Sequence, residues 1–378
     1  MKIGIVCYPT FGGSGVVATE LGIALGKKGH EVHFITSKQP VRLNFLTDNV
    51  HFHEVFVEEY PLFHFQPYEL ALSSKLVAIV ERYGLDILHV HYAIPHAYAA
   101  YMAKQMLKEK GIEIPIVTTL HGTDITLVGS QPFYKPAVEF SINNSDVVTT
   151  VSESLRLDTL RLFDIKKEIE VIYNFIDFEK YPSPNNVDCK RNTLAKENER
   201  IIVHVSNFRP VKRIKDVISI FAKIQKEIPA KLLMVGDGPE REQADVLAKK
   251  LGVRDQILFL GNSNEVNKIL CYADLFLLPS ETESFGLASL EAMVAKTPVI
   301  SSNSGGLPEV NVHSVTGFLS DVGDVDNMAE NAIMILEDDE RLKTFKINAQ
   351  EFARKFSIDK ILPLYEDVYR KVKEDCCY

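Results

Sequence analysis

The sequence predicts an α/β protein with two Rossmann-like, doubly wound domains that face a cleft. Short β-rich runs alternate with helical patterns along most of the 378 residues, which is typical of βαβ units around a parallel sheet. The alternation stops once, over residues 177–200, and then restarts. The length suits two ordinary domains, each able to bury its own core. Ligands of open α/β sheets bind at the carboxyl ends of the strands, so a cleft between the domains is the expected site.

The first domain is predicted over residues 1–175, with strands in KIGIVC, EVHFIT, VHFHEVFV, DILHVHY, IPIVTTLH, DVVTTVS and IEVIYN. Helical patterns fall between several of these runs, including Val16–Lys28 and Tyr68–Tyr83. The stretch 177–200 carries two prolines, paired asparagines and many charges, which indicates a domain connection.

The second domain is predicted over residues 176–356, with strands in IIVHVSN, AKLLMVGDG, ILFLG, DLFLLPS and PVISS. A final helix over residues 357–378 could pack back on the first domain.

Composition argues against several classes of protein. The net charge is −9 and there is no basic block, which disfavours nucleic acid as the main partner. No apolar run is long enough to span a bilayer and no signal peptide precedes the first strand, so we expect a cytoplasmic protein without a membrane partner. The five cysteines show no metal-ligand spacing and suit a reducing compartment. The residues do not specify the oligomeric state, and a homo-oligomer is compatible with them.

A glycine-rich loop, FGGSG at residues 11–15, lies between the first strand and the first helix. Glycine permits positive φ and close approach of the backbone to a ligand, and the helix N-terminus behind the loop offers N–H groups to an anion. Gly13, Ser14, Gly15 and Ala18 form G-x-G-x-x-A, a variant of the dinucleotide-binding pattern, but no acidic residue follows the second strand. The loop is therefore either an anion site or simply a tight turn.

The segment PSETESFGLASLEAM gives the strongest signal in the second domain. Glu283 is expected in the loop that ends a strand, and Glu291 about two turns into the following helix. Gly286 would let backbone amides reach a phosphate or a sugar. The alternative interpretation is a pair of solvated glutamates at a helix start, where the helix dipole favours them.

Three further loops are expected at the same sheet edge. VSNFRPVKR contributes Arg209, Lys212 and Arg213, and cations there can stabilise a departing pyrophosphate. VGDGPE contributes Gly236, and SNSGGLPEV contributes a glycine pair. Cations, glycines and paired carboxylates on one edge favour a nucleotide-sugar site over a set of unrelated solvated loops.

With these motifs the chain resembles the retaining glycosyltransferases of the GT-B fold over nearly its whole length. The resemblance rests on the motifs E-S-F-G-L-x-x-x-E, the Arg/Lys loop, GDGP, GGSG, HGTD and SGGLPE. CYPTFGGSGVVATELG, HVHYAIPHA and TTLHGTDITLVG are more closely similar to members that move N-acetylglucosamine from UDP-N-acetylglucosamine to the hydroxyl of L-malate, the first step of bacillithiol synthesis. The resemblance implies a UDP-sugar donor, L-malate as acceptor and no required cofactor.

Other functions stay open on the residues alone. A UDP-N-acetylglucosamine epimerase or hydrolase, a glycosyltransferase with another small acceptor and a non-catalytic nucleotide-sugar sensor would all use this donor site. A nicotinamide-dependent oxidoreductase is disfavoured by the missing ribose-binding acid after the second strand.

The resemblance also assigns roles at the donor. Glu283 would bind hydroxyls of the transferred sugar, Lys212 the diphosphate and Glu291 the ribose hydroxyls. Asn207 stands where the family often has arginine, five residues before the lysine, so Arg209 is expected to supply that charge. The predicted donor-binding set is Gly13, Asn207, Gly236, Phe285, Gly286, Leu287 and Glu291, and the predicted catalytic set is His121, Arg209, Lys212 and Glu283.

In the first domain, His121 ends a strand and the resemblance places it near the transferring sugar; the alternative is a histidine bonded only to backbone. Malate is a dianion and the protein is net negative, so its carboxylates need local N–H and hydroxyl donors. The predicted acceptor-binding set is Ser14, Gly15, Tyr92, Thr119 and Thr123.

No metal is predicted, because no carboxylate completes a convincing set around the histidines of HVHYAIPH. Asp124 is not assigned as a nucleophile. The resemblance implies front-face attack, in which catalysis is mainly positioning and electrostatic stabilisation.

Overall fold

The computed structural model describes residues 1–10, 12–43, 47–57, 67–181, 191–263 and 265–375. The chain divides into two compact units, Met1–Phe175 with Ile358–Tyr378, and Ile176–Ser357. Residues 182–190 of the predicted connection, and residues 376–378 of the predicted final helix, lie outside the described residues. Phe11 of the glycine-rich loop lies outside them as well.

The described residues of the first unit form one parallel sheet of seven strands. The strands are β1 Lys2–Val6, β2 Glu31–Thr36, β3 Val50–Glu54, β4 Ile87–His91, β5 Ile116–Leu120, β6 Val147–Thr150 and β7 Ile169–Val171. The helices that precede the second unit are α1 Ser14–Lys27, α2 Tyr68–Tyr83, α3 Tyr98–Lys108, α4 Lys135–Asn143 and α5 Glu153–Leu162. Strands β4 and β5 are buried at every residue, as expected for central strands covered on both faces.

The second unit repeats this plan, with six parallel strands in the part of it that the structure describes. They are β8 Arg200–Val205, β9 Ala230–Val235, β10 Ile257–Gly261, β11 Leu275–Leu278, β12 Val299–Ser302 and β13 Gly317–Ser320. The helices are α6 Arg191–Leu194, α7 Ile214–Glu227, α8 Arg241–Lys250, α9 Val266–Leu270, α10 Leu287–Val294, α11 Leu307–Val310, α12 Val325–Leu336 and α13 Asp339–Ala353. Strand β13 was not among the predicted strands.

The strand order identifies one special position in each sheet. The orders are β3-β2-β1-β4-β5-β6-β7 and β10-β9-β8-β11-β12-β13, so the chain winds outward in both directions from the first strand. The reversal falls between β1 and β4 in one sheet and between β8 and β11 in the other. Ligands of doubly wound sheets bind outside the carboxyl ends of the strands at such a reversal. The predicted fold class, two doubly wound α/β domains, is confirmed.

The last helix, α14 Ile358–Asp375, returns to the first unit. Its Tyr369 is fully buried, with the hydroxyl 2.7 Å from His89 Nδ1 of β4. Lys373 Nζ donates to Asp86 Oδ1 at 2.8 Å, just before that strand. The helix therefore packs against the central sheet. Even this helix of 18 residues carries many charges, and none of the described helices has the length and apolar composition needed to cross a bilayer.

Candidate active site

In the second unit, the loops after β8 and β11 meet at the strand-order reversal. Lys212 Nζ donates to Glu283 Oε1 at 2.5 Å, and Ser280 Oγ donates to the same oxygen at 3.0 Å. The backbone N–H of Glu281 donates to the carbonyl of Val211 at 2.8 Å, which ties the two loops together. The side chains of Lys212 and Glu283 keep 20% and 14% of their exposure. A cation and a carboxylate thus lie side by side, partly open to solvent, where the fold places ligands.

A glycine pair holds the backbone of Glu283 in place. Gly306 N–H donates to the Glu283 carbonyl at 2.8 Å. A Cβ on Gly305 would lie 2.1 Å from that carbonyl oxygen, and Gly305 has a φ of +59°. A Cβ on Gly306 would lie 2.5 Å from the carbonyl oxygen of Ser284. The glycines of SGGLPE therefore allow a close backbone contact that positions Glu283.

The glycines of the loop after β9 support the loop after β8 in a similar way, through close backbone contacts. A Cβ on Gly236 would lie 1.8 Å from the carbonyl oxygen of Ser206, and one on Gly238 would lie 2.1 Å from that of Asn207. Gly236 is itself buried, so its backbone packs on the loop that follows β8. Asn207 and Arg209 are exposed on that loop.

The start of α10 brings backbone donors to the same edge. Gly286 precedes the helix with a φ of 91°, and Leu287 is its first residue, with no acidic residue in the first turn. Phe285 is 2% exposed and its ring lies 5.6 Å from that of Phe356, which anchors the loop. The first N–H groups of a helix have no intrahelical partner and favour anions. Glu291 lies one turn into α10, so the prediction of two turns was wrong, because the left-handed Gly286 delays the helix start.

In the first unit, the loops after β1 and β4 are joined by a hydroxyl pair. Ser14 Oγ lies 2.6 Å from Tyr92 Oη. The ring of Tyr8, which also follows β1, lies 5.4 Å from the Tyr92 ring. A Cβ on Gly15 would lie 2.4 Å from the Tyr8 carbonyl oxygen, so this glycine allows α1 to start against the loop, and Gly13 precedes the helix with a φ of 62°. Burial raises the pKa of Tyr92 to about 12, so its phenol stays protonated at neutral pH.

Four histidines surround the end of β4. His121 Nε2 lies 2.8 Å from His91 Nδ1, whose ring stacks on His89 at 4.5 Å. His96 Nδ1 donates to the His91 carbonyl at 2.5 Å. Burial lowers the pKa of His89 and of His121 to about 3, and that of His96 to about 4. These imidazoles are therefore neutral at physiological pH, and His121 is held by a neighbouring ring rather than only by backbone.

Asp124 stabilises the loop around His121 from behind. Its carboxylate accepts hydrogen bonds from the backbone N–H groups of Ala93 at 2.8 Å, Gly122 at 3.0 Å and His121 at 3.3 Å. The residue is 2% exposed, and burial raises its pKa to about 6. Its carboxylate bridges the loops after β4 and β5. Sequence reasoning missed this bridging role, although an aspartate four residues after the end of β5 was a visible signal.

The two predicted threonines are placed differently. Thr119 is fully buried within β5, and its Oγ1 lies 2.7 Å from both His89 Nε2 and Thr149 Oγ1. It therefore supports His89 from inside the sheet, behind the loops that carry the other predicted residues. Thr123 is exposed in the loop after β5. Sequence reasoning also missed Tyr8, whose position two residues after the end of β1 was the available signal.

Two known protein families match different parts of the chain. Residues 188–352 match the family described as Glycosyl transferases group 1, and residues 11–180 match Glycosyltransferase Family 4. The N-acetyl-alpha-D-glucosaminyl L-malate synthase of Bacillus anthracis is 50% identical over 376 residues, which cover 99% of this chain and 98% of that enzyme.

Solved structures show the same fold at low identity. Sucrose-phosphate synthase (tll1590) from Thermosynechococcus elongatus has a TM-score of 0.81 and 20% identity, over 98% of this chain and 99% of the other. Anabaena Alr3699/HepE in complex with UDP and glucose has a TM-score of 0.82 and 19% identity, over 98% and 100%. These likenesses confirm the GT-B fold. Given the near full-length identity, the chain is a glycosyltransferase and belongs to the same family as the Bacillus anthracis enzyme.

Proposed function

We propose that the protein transfers N-acetylglucosamine from UDP-N-acetylglucosamine to the hydroxyl of L-malate, with retention at the anomeric carbon. The product would be N-acetyl-alpha-D-glucosaminyl L-malate, the first intermediate of bacillithiol synthesis. The observation that carries this proposal is the 50% identity over 99% of the chain with the Bacillus anthracis enzyme, whose name states that product. The residues at the two strand-order reversals support it.

The second unit would hold the donor. In the free protein Lys212 and Glu283 neutralise each other at 2.5 Å. On donor binding, Lys212 would turn to the diphosphate and Glu283 to hydroxyls of the sugar. Backbone N–H groups at the start of α10 would face the same groups, and Glu291 would bind the ribose. Lys212 and Arg209 would then stabilise the negative charge that develops on the departing diphosphate.

The first unit would hold malate with neutral hydrogen-bond donors. Ser14 and Tyr92 offer hydroxyl groups, and the first turn of α1 offers N–H groups with no acidic residue among them. The positive end of the helix favours a carboxylate there. Thr123 lies exposed in the loop after β5 and would add a further hydroxyl group.

The transfer itself would be a front-face displacement. The bond between the anomeric carbon and the diphosphate oxygen breaks, with its electrons leaving on UDP. The malate hydroxyl oxygen bonds to the same face of that carbon, and its proton passes to the departing phosphate oxygen. The protein contributes positioning and charge stabilisation, with His121 assigned to the transferring sugar.

The test is UDP release from UDP-N-acetylglucosamine with and without L-malate, followed by mass analysis of the product. We expect UDP release to depend on malate and the product to have the mass of a malate-linked N-acetylhexosamine. D-malate serves as the matched control acceptor. UDP release that ignores malate would instead identify an epimerase or hydrolase, and release with other hydroxy acids only would reject malate as the acceptor.

A further inference from the structure

Strands β2 and β3 of the first unit bring together four side chains that can bind metal ions. Glu31 and His33 lie two residues apart on β2, and His51 and His53 lie two residues apart on β3. Residues two apart on a strand share one face of the sheet. The parallel register pairs His33 with His51. The group lies within the strands, apart from the loops after β1, β4 and β5 that form the candidate active site of this unit.

The potential metal-ligand atoms of Glu31, His33 and His51 lie close together. Glu31 Oε1 lies 3.0 Å from His33 Nε2 and 3.9 Å from His51 Nε2. The three ligand atoms all lie within 4.8 Å of one another. Ligand atoms of a tetrahedral zinc ion are roughly 3.4 Å apart, because each lies about 2.0–2.1 Å from the metal. Side-chain adjustments of about 1 Å would place all three on one ion.

The fourth side chain fixes the orientation of the buried ligand. His33 Nδ1 lies 2.8 Å from His53 Nε2. If His33 Nε2 bound a metal, Nδ1 would carry the ring proton and donate it to His53. Metal-binding histidines characteristically donate their second ring N–H to such a partner.

Access and competing charge are both compatible with an ion. His33 is fully buried, whereas the side chain of His51 is 49% exposed, so the group is closed on one side and open to solvent on the other. Lys2 Nζ lies 3.3 Å from Glu31 Oε2 and therefore engages the carboxylate oxygen that faces away from His33. Glu31 can bind through Oε1 alone, and the solvent side leaves a position for water.

We propose that Glu31, His33 and His51 bind a divalent transition-metal ion of the zinc type, with His53 as the partner that orients His33. Two imidazoles and one carboxylate suit Zn²⁺, Co²⁺ or Ni²⁺, whereas Mg²⁺ and Ca²⁺ prefer sites made of oxygen ligands alone. An ion there would link β2 to β3, which form one edge of the sheet. This inference does not depend on the proposed donor or acceptor.

The test uses the full chain after treatment with a chelator and its removal. Titration calorimetry with ZnCl₂ should show one bound equivalent, and CoCl₂ should give the visible absorption of tetrahedral Co²⁺. H51A should lose stoichiometric binding, and H53Q should bind about 10-fold more weakly. H313A removes an exposed histidine of the second unit and should bind as the wild type does.

His51 is exposed, so we expect H51A to fold and to keep the wild-type rate of UDP release. E31Q is a second variant, which removes the charged ligand. It should also lose the bound equivalent of Zn²⁺. Wild-type protein that binds no stoichiometric Zn²⁺ would overturn the proposal and leave a hydrogen-bonded histidine cluster. Wild-type affinity in both H51A and E31Q would overturn it too, because the ion would then be bound elsewhere.

Discussion

The two units share the same strand order around the reversal, but the side chains in their loops differ in charge. Each sheet reverses its strand order beside its first strand, and the predicted functional loops follow the strands on either side of that reversal. In the second unit the loops carry an ion pair, Lys212 with Glu283. In the first unit they carry neutral partners, such as Ser14 with Tyr92. On the proposed function, the fold would determine where each ligand binds, and the loop side chains would determine what kind of ligand it is.

The proposed reaction gives a physical reason for this difference. The diphosphate gains negative charge as it departs, so a fixed cation stabilises the transition state more than the ground state. The carboxylates of malate carry the same charge throughout. Hydroxyl and backbone N–H donors are sufficient to hold them, and they contribute to binding rather than to rate.

The largest expected contrast between the units is their response to acid. His89 and His96 are buried and neutral, with pKa values lowered by burial to about 3 and about 4. Below about pH 6.5 the unfolded chain binds protons that the folded unit does not, so stability falls as the pH drops towards those values. At pH 5, each histidine should lower the free energy of unfolding by about 2 kcal/mol relative to its value at neutral pH. Together the two should lower it by about 4 kcal/mol.

Hydrogen exchange measured by mass spectrometry at pH 8 and pH 5, corrected for intrinsic exchange, would resolve the two units. The second unit contains only two histidines, of which His204 is buried with its pKa lowered to about 4. We therefore expect protection to fall more in the sheet of the first unit. Equal losses in both sheets would remove this contrast.

Removing the cation of the ion pair should have the next largest effect. Lys212→Ala should lower kcat/KM for UDP-N-acetylglucosamine by about 10²–10³-fold, or roughly 3–4 kcal/mol, because the departing diphosphate loses its charge stabilisation. Lys215→Ala removes an exposed lysine at the start of α7 and should keep nearly wild-type activity. Steady-state kinetics of both variants would check the prediction, and similar losses in the two would point to net charge instead of position.

The glycine that supports Glu283 should matter more than an exposed glycine. Gly305→Ala adds a Cβ that would lie 2.1 Å from the Glu283 carbonyl oxygen. At Gly252, which has a φ of +74°, no atom of the described residues lies within 4 Å of such a Cβ. Alanine is destabilising at both positions because both have a positive φ. The difference in stability between the two variants therefore reports the contact with the Glu283 carbonyl alone. We expect Gly305→Ala to be less stable by about 2 kcal/mol than Gly252→Ala, from steric overlap. Urea denaturation would measure this, and equal stabilities would contradict the account of the glycine pair.

The smallest effect is expected at the hydroxyl pair of the first unit. Tyr92→Phe removes one hydrogen-bond donor, which should weaken malate binding by about 1 kcal/mol. KM for malate should therefore rise roughly fivefold while kcat changes little. Kinetics at varied malate and saturating donor would measure both constants. A fall in kcat with unchanged KM would place Tyr92 in the chemical step instead.

Much of the fold could be predicted because strands and helices left distinct local patterns. The two fully buried strands β4 (ILHVH) and β5 (IVTTL) stand out as short β-rich runs that mix apolar residues with histidine or threonine. Helix α2 has the predicted bounds Tyr68–Tyr83. Strand β13 was missed because GFLS is short and includes a glycine and a serine, both uncommon signals for a strand.

The placement of the candidate site residues was predictable where a polar residue follows a recognisable strand. Lys212 and Glu283 stood out for that reason and through the family resemblance. The contact between His91 and His121 was not predictable, because it depends on the register of β4 against β5, which pairs His91 with Thr119. The Glu31 group depends in the same way on the register of β2 against β3.

The most direct test of the division between the units is the dissociation constant of UDP, measured by calorimetry without malate. We compare wild type, Lys212→Ala and Tyr92→Phe. The account predicts that Lys212→Ala weakens UDP binding by at least about 10-fold, since it removes one charge-assisted contact, and that Tyr92→Phe leaves it unchanged. Wild-type affinity in Lys212→Ala, or an equal loss in Tyr92→Phe, would contradict the assignment of the donor to the charged loops of the second unit.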